Sequence, residues 1–106
     1  MQQTQLLKGV LELAVLAVLG RGETYGYDIV SRLEDAGLNG VGDASVYGTL
    51  RRLEEAGHLR SRLATSASGP ARKYYAVTEA GGKAYAAGVE TWRRVERAVD
   101  VLMERA

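Results

Sequence analysis

The stretch Val41-Gly42-Asp43-Ala44-Ser45-Val46-Tyr47-Gly48-Thr49-Leu50-Arg51-Arg52-Leu53-Glu54-Glu55-Ala56-Gly57-His58-Leu59 decides the fold. Asp43, next to a glycine, can cap a helix by accepting from its first backbone N–H groups, and Gly57 can take the left-handed conformation that stops one. Between them Val46, Leu50 and Leu53 recur at i, i+4 and i+7, so one stripe of a short helix is buried. The opposite face holds Ala44, Ser45, Gly48, Arg51 and Arg52, with Tyr47 and Glu55 at its margins. Small residues in the first turns let another surface come close, and two arginines one turn on can hold an anion there. A helix that enters a major groove is composed this way. An ordinary amphipathic helix with a solvated basic face has the same composition, so the choice rests on the flanking chain.

Upstream, Met1 to Gln5 is polar with no basic run, which predicts no signal peptide. Leu6 to Leu19 is apolar except at Lys8, Gly9 and Glu12. That run is too short and too charged for a membrane span, which needs about 20 apolar residues. It predicts a core helix buried on more than one side, ended by Gly20-Arg21-Gly22. Thr24-Tyr25-Gly26-Tyr27-Asp28 opens a second helix whose contacts are Ile29, Val30 and Leu33, and Gly37 stops it. Two helices joined by the short glycine-bearing turn Leu38–Gly42 make a helix-turn-helix.

Downstream the period changes from helix to strand. His58-Leu59-Arg60-Ser61-Arg62-Leu63 alternates apolar and polar, Ala64 to Pro70 makes a small polar tip, and Ala71 to Val77 returns as a second strand. Leu59, Leu63, Tyr75 and Val77 are expected to pack inward while Arg60, Arg62, Arg72 and Lys73 face out. Such a hairpin after a helix-turn-helix is a wing. Thr78 is the expected N-cap of one long helix running to the end of the chain. Along it Tyr85, Gly88, Trp92, Val95, Val99 and Leu102 fall at steps of three and four, the spacing of a two-helix seam. The fold class is therefore α+β, mainly α: a winged helix-turn-helix with a two-stranded β wing and a long C-terminal dimerisation helix. The expected division is 1–78 for the winged domain and 79–106 for the dimerisation helix.

Composition narrows the function. The 106 residues suffice for one core, and 46 % of them are apolar, which argues against disorder. With no cysteine and a single histidine, His58, thiolate chemistry and a metal site are not expected, and no cofactor is implied. The chain offers no glycine-rich phosphate loop and no nucleophile-and-base spacing, so an enzyme is not expected. Net charge is only +1. From Ala44 to Tyr75, however, six basic residues face two acidic ones, a local +4 that leaves −3 for the rest. Such asymmetry is the footprint of a DNA-binding surface.

Three segments together resemble the PadR family of winged-helix regulators in its short form. Tyr25-Gly26-Tyr27-Asp28-Ile29 is similar to that family's Tyr-Gly-Tyr-acid-Ile at the start of helix two. Ala44-Ser45-Val46-Tyr47-Gly48-Thr49-Leu50-Arg51-Arg52-Leu53-Glu54 resembles its Gly-Thr-Leu-Tyr-Pro-x-Leu-x-x-Leu-Glu. Gly69-Pro70-Ala71-Arg72-Lys73-Tyr74-Tyr75-Ala76-Val77-Thr78-Glu79-Ala80-Gly81 is close to its wing signature, Gly-Pro-x-Arg-Lys-x-Tyr-x-Leu-Thr-x-x-Gly. Gly48 stands where the family has proline, and Ala44-Ser45 where it has Gly-Thr. These departures lie on the presumed reading face, so no operator sequence carries over. The resemblance implies a cytoplasmic, homodimeric repressor that leaves double-stranded DNA when it binds a small molecule.

Residue by residue, Arg51 and Arg52 are expected at phosphates or base edges, Ser45 and Tyr47 at the backbone, and Arg72 and Lys73 on the DNA beside the wing. Dimerisation is expected through Tyr85, Trp92, Val95, Val99 and Leu102. A flat aromatic effector is expected against Trp92, with Gly88 leaving room and Tyr85 alongside, although a tryptophan that only fills the dimer core has the same spacing. The alternative reading of the whole chain is a winged-helix protein-interaction module without DNA binding.

Overall fold

The computed structural model describes residues 3–66 and 69–104. In chain order the elements are α1 (Gln3–Leu7), α2 (Leu11–Leu19), β1 (Thr24–Tyr25), α3 (Gly26–Asp35), α4 (Asp43–Glu55), β2 (Leu59–Ser66), β3 (Gly69–Val77) and α5 (Glu79–Glu104). The strands form one antiparallel sheet in the order β1-β3-β2.

The core collects the apolar stripes of four elements around α2. Val15 of α2, Ile29 of α3, and Val46 and Leu50 of α4 are completely buried, with Leu53, Leu59 and Tyr75 closing the side toward the sheet. Thr49 is equally buried on α4. Its hydroxyl donates to the Ser45 carbonyl at 2.8 Å, so no polar atom is stranded.

Both helices of the helix-turn-helix end in the same way. Gly37 (φ +105°) and Gly57 (φ +81°) take positive φ, and Leu38 and His58 return their N–H groups to the carbonyls of Leu33 and Leu53, each at 2.9 Å. That is the Schellman arrangement, which a side chain at the glycine would strain.

The junction into α5 is tightly held. The Thr78 hydroxyl donates to the Gly57 carbonyl at 2.6 Å and accepts from the Gly81 N–H at 3.0 Å, which makes it the expected N-cap. The Thr78 N–H also donates to the His58 carbonyl at 3.1 Å. The end of α4 and the start of α5 are thereby fastened to one another.

Several local expectations need correction. The Leu6–Leu19 run is not one helix: it turns at Lys8–Val10, where Gly9 is a poor helix former and the Val10 N–H closes onto the Leu7 carbonyl at 3.0 Å. The turn lets both Leu7 and Leu11 reach the core while Leu6 stays exposed. Thr24 and Tyr25 are strand rather than helix. They pair with Tyr75 and Tyr74, giving the two wing strands a third. Gly42, not Asp43, occupies the cap position of α4; Asp43 lies in the first turn, where its charge suits the helix dipole, and makes no capping hydrogen bond. The hairpin is longer than the pattern implied, because pairing continues to Ala64–Arg72 and Ser66–Gly69. Ala67 and Ser68, expected in the tip, lie outside the described residues, as do Arg105 and Ala106, to which the long helix was expected to run. Leu63 is not inward-packed but 73 % exposed. It shares a sheet face with Leu59 and Ser61, yet sits where the hairpin has already run past the core.

The long helix is used in two halves. Its first half docks on α2: Tyr85 packs on the core, and a Cβ at Gly88 would stand 3.0 Å from Leu13 Cδ1. Its second half carries Val95, Val99, Val101, Leu102 and Met103 exposed. At 26 residues, about 39 Å, this helix accounts for much of the 57 Å long axis of the molecule.

Candidate nucleic-acid interface

The exposed face of α4 has a crest and two shoulders. Ala44, Gly48, Arg51 and Glu55, at steps of three and four, form the crest opposite the buried stripe. Ser45 and Arg52 form the shoulder toward the α1–α2 turn. Together with Lys8 and Glu12 they border a polar concavity of about 420 Å³. Tyr47 forms the other shoulder, toward the wing. With Gly26, Tyr27, Arg72 and Lys73 it borders a second concavity of about 440 Å³. Lys8 and Tyr27 were not singled out in the sequence, since one interrupts an apolar run and the other sits inside a helix-opening motif. Only the fold brings them beside α4.

The two arginines of α4 differ in setting. Arg51 is exposed and has no carboxylate partner among the described residues. Arg52 turns back toward α2: its Nη2 donates to Thr49 Oγ1 at 3.1 Å, and its Nε lies 3.6 Å from Glu12 Oε1. Tyr47 is held by shape rather than by a hydrogen bond. Its ring covers Gly26 so closely that a Cβ there would fall 2.4 Å from Cε1.

Strand alternation puts Arg72 and Lys73 on opposite faces of β3. Both still border the same concavity, because β1 pairs with β3 only at Tyr74 and Tyr75 and leaves the edge beyond them open. On the outer face runs a ladder of cations and rings. The Arg72 guanidinium lies 4.4 Å from the centre of the Tyr25 ring, Tyr25 meets Tyr74 edge-on at 5.5 Å, and Arg62 lies 5.3 Å over Tyr74. Arg62 then donates twice to Glu23, at 3.0 and 2.5 Å. That fork lowers the Glu23 pKa and raises that of Arg62.

On the inner face Lys73 Nζ lies 3.3 Å from Glu54 Oε1. The other oxygen of Glu54 accepts from Ser61 Oγ at 2.5 Å. The Ser61 hydrogen bond, and then Lys73, hold the Glu54 carboxyl below its ordinary range. The contacts of Glu54 were not legible in the sequence, where it counted as an acidic residue within the basic segment and as the last residue of the matched family motif.

Trp92, 37 % exposed, stands between two apolar grooves that flank α5 against α1 and α2. One of them, about 540 Å³, is lined by Leu6, Leu13, Tyr85 and Val89 among others. Gly88 and Trp92 both border the other groove, about 550 Å³, with Leu13 close beside Gly88. Among the described residues no group of three or more metal-ligating side chains occurs, and no helix is long and apolar enough to cross a membrane.

A helix-turn-helix whose second helix exposes Arg51 and Arg52, a β wing and a projecting C-terminal helix define a winged-helix protein. Residues 15–87 match the profile of the Transcriptional regulator PadR-like family, and the chain belongs to that family. Its fold is similar to that of a PadR-like transcriptional regulator from Bacillus cereus: TM-score 0.83, 33 % identity, covering 93 % of this chain and 96 % of that one. A PadR family transcriptional regulator from Eggerthella lenta superposes with a TM-score of 0.86 at 32 % identity, over 97 % of this chain and 89 % of the other. Bacillus subtilis PadR, solved in complex with operator DNA, gives a TM-score of 0.69 at 27 % identity, over 76 % of this chain and 46 % of that longer one.

Proposed function

We propose that the chain is a sequence-specific DNA-binding transcriptional repressor that acts as a homodimer in the cytoplasm. The observation that carries this reading is the α4 crest, where Arg51 projects with no carboxylate partner among the described residues, between two concavities edged by Lys8, Arg72 and Lys73. That Bacillus subtilis PadR was solved in complex with operator DNA supports DNA as the partner. Arg51 is assigned to base edges or phosphate, and Ser45, Tyr47, Arg52, Arg72 and Lys73 to positioning on the backbone. The winged domain, residues 1–78, holds the DNA. Residues 79–106 supply the dimer through Trp92, Val95, Val99 and Leu102, with Tyr85 anchoring the helix to its own domain.

A small aromatic effector is assigned to the grooves at Trp92, bordered by Tyr85 on one side and Gly88 on the other, where ring stacking adds about 0.5–1.5 kcal/mol to apolar burial. Titration with planar aromatic compounds then quenches Trp92 fluorescence and releases DNA, and Trp92→Ala abolishes both while the dimer survives. The DNA reading itself is tested by binding to a random duplex across a salt series. A DNA binder loses affinity steeply as salt rises, whereas a protein-interaction module has no binding to lose.

A further inference from the structure

We propose that Glu54 is a positioning residue for DNA recognition: by holding Lys73 against the recognition helix, it confines the wing's ammonium group to one place on the duplex backbone. The inference rests on the DNA reading above. A single carboxylate in the last turn of α4 ties that helix to both wing strands, to β2 through Ser61 Oγ at 2.5 Å and to β3 through Lys73 Nζ at 3.3 Å. The Tyr75 ring, 5.5 Å from the same ammonium, closes its third side.

Stability alone does not account for the arrangement. The hairpin is already fixed to α4 by the burial of Leu53, Leu59 and Tyr75, and half-exposed ion pairs add little. A carboxylate beside the DNA also repels phosphate. What it supplies is direction. Lysine is a point charge on a flexible four-carbon stem, able to follow almost any phosphate when free. Tethered, it meets a phosphate only where the docked complex brings one.

The other pairings sharpen the contrast. Of the six basic residues between Ala44 and Tyr75, Arg52, Arg62 and Lys73 each form an ion pair with a glutamate, whereas Arg51, Arg60 and Arg72 form none among the described residues, Arg60 acting on Glu23 only from farther off. Only the Lys73 partner lies on the recognition helix itself.

The test uses the full chain, a selected operator duplex and a random duplex, each titrated across a salt series. Glu54→Gln keeps an acceptor for Ser61 but loses the charge. It should tighten binding to the random duplex and steepen its log-affinity against log-salt slope by about 0.9, one more phosphate contact. The operator-to-random ratio should fall about threefold, the scale of one exposed ion pair. Glu23→Gln changes net charge equally on the opposite sheet face, and should lower the ratio less. An equal loss there assigns the effect to net charge and overturns the proposal. In a Lys73→Gln background Glu54→Gln should leave the ratio unchanged, and a further fall overturns the proposal. Where Glu54→Gln does not fold, Lys73→Gln alone decides: it should weaken the operator and spare the random duplex, and equal weakening of both is contrary. Wild-type chain that binds neither duplex overturns the DNA reading and this proposal together. Wild-type chain that binds both, with slope and ratio unchanged in Glu54→Gln, overturns this proposal alone.

Discussion

The carbonyl oxygen of His58 occupies the space that a Cβ on Gly81 would need, 2.0 Å from its ideal position. The contact brings the first turn of α5 directly onto the backbone that leaves α4. Backbone cannot swing aside as a side chain can. Gly81→Ala should therefore destabilise the fold by about 1–3 kcal/mol, the range for overpacking a tight contact. A thermal or urea midpoint measures it, and a midpoint equal to wild type contradicts the contact.

Gly26 makes the instructive opposite case. There the atoms in the way belong to the far end of the Tyr47 ring, which can rotate. Gly26→Ala should leave stability within about 1 kcal/mol of wild type, yet displace Tyr47 from its shoulder of α4 and weaken binding to every duplex. Unfolding midpoints and duplex titration, run side by side, separate the two effects.

The exposed stripe of Val95, Val99 and Leu102 calls for a partner. Val95→Asp combined with Val99→Asp should yield monomers by sedimentation while the circular dichroism of the winged domain persists. A dimer that survives both substitutions removes the seam from this face of α5.

Acid should loosen the wing before it dissolves the core. The Glu23 and Glu54 carboxyls are held below their ordinary value of 4.5, Glu23 by Arg62 and Glu54 by Ser61 and Lys73. The unfolded chain thus binds protons more readily than the folded one in that range. The contribution is fully present above pH 4.5 and is lost as pH falls through the lower folded values. Midpoints measured from neutral to acid pH should drop more steeply in wild type than in Glu23→Gln or Glu54→Gln. Identical profiles in all three would mean that the two pairs do not couple to folding.

What was legible in the chain follows from how local each signal is. The α4 stripe, the two glycine stops at Gly37 and Gly57 and the Thr78 cap are each set within about two helical turns, and each stands where the pattern placed it. Signals that depend on distant partners were misread. Thr24-Tyr25 is strand only because Tyr74 and Tyr75, some fifty residues on, offer an open edge. Leu63 alternates correctly for a buried residue, but alternation says nothing about where the core ends. On the site, the basic segment was visible as charge. The partners that latch some of its cations, Glu12 of α2, Glu23 just before β1 and Glu54 of α4, come from three separate parts of the chain and appear only once it is folded.

The central claim is that the crest of α4 reads DNA sequence. Its most direct test is selection of bound duplexes from a random library by the full chain, with Arg51→Ala run in parallel. The account predicts a pseudo-palindrome with half-sites about one helical turn, ~34 Å, apart, and relaxed preference at one position per half-site in the variant, where about 1–3 kcal/mol of discrimination is lost. A library that emerges unenriched, or an Arg51→Ala variant that selects the identical sequence with identical strength, would contradict it.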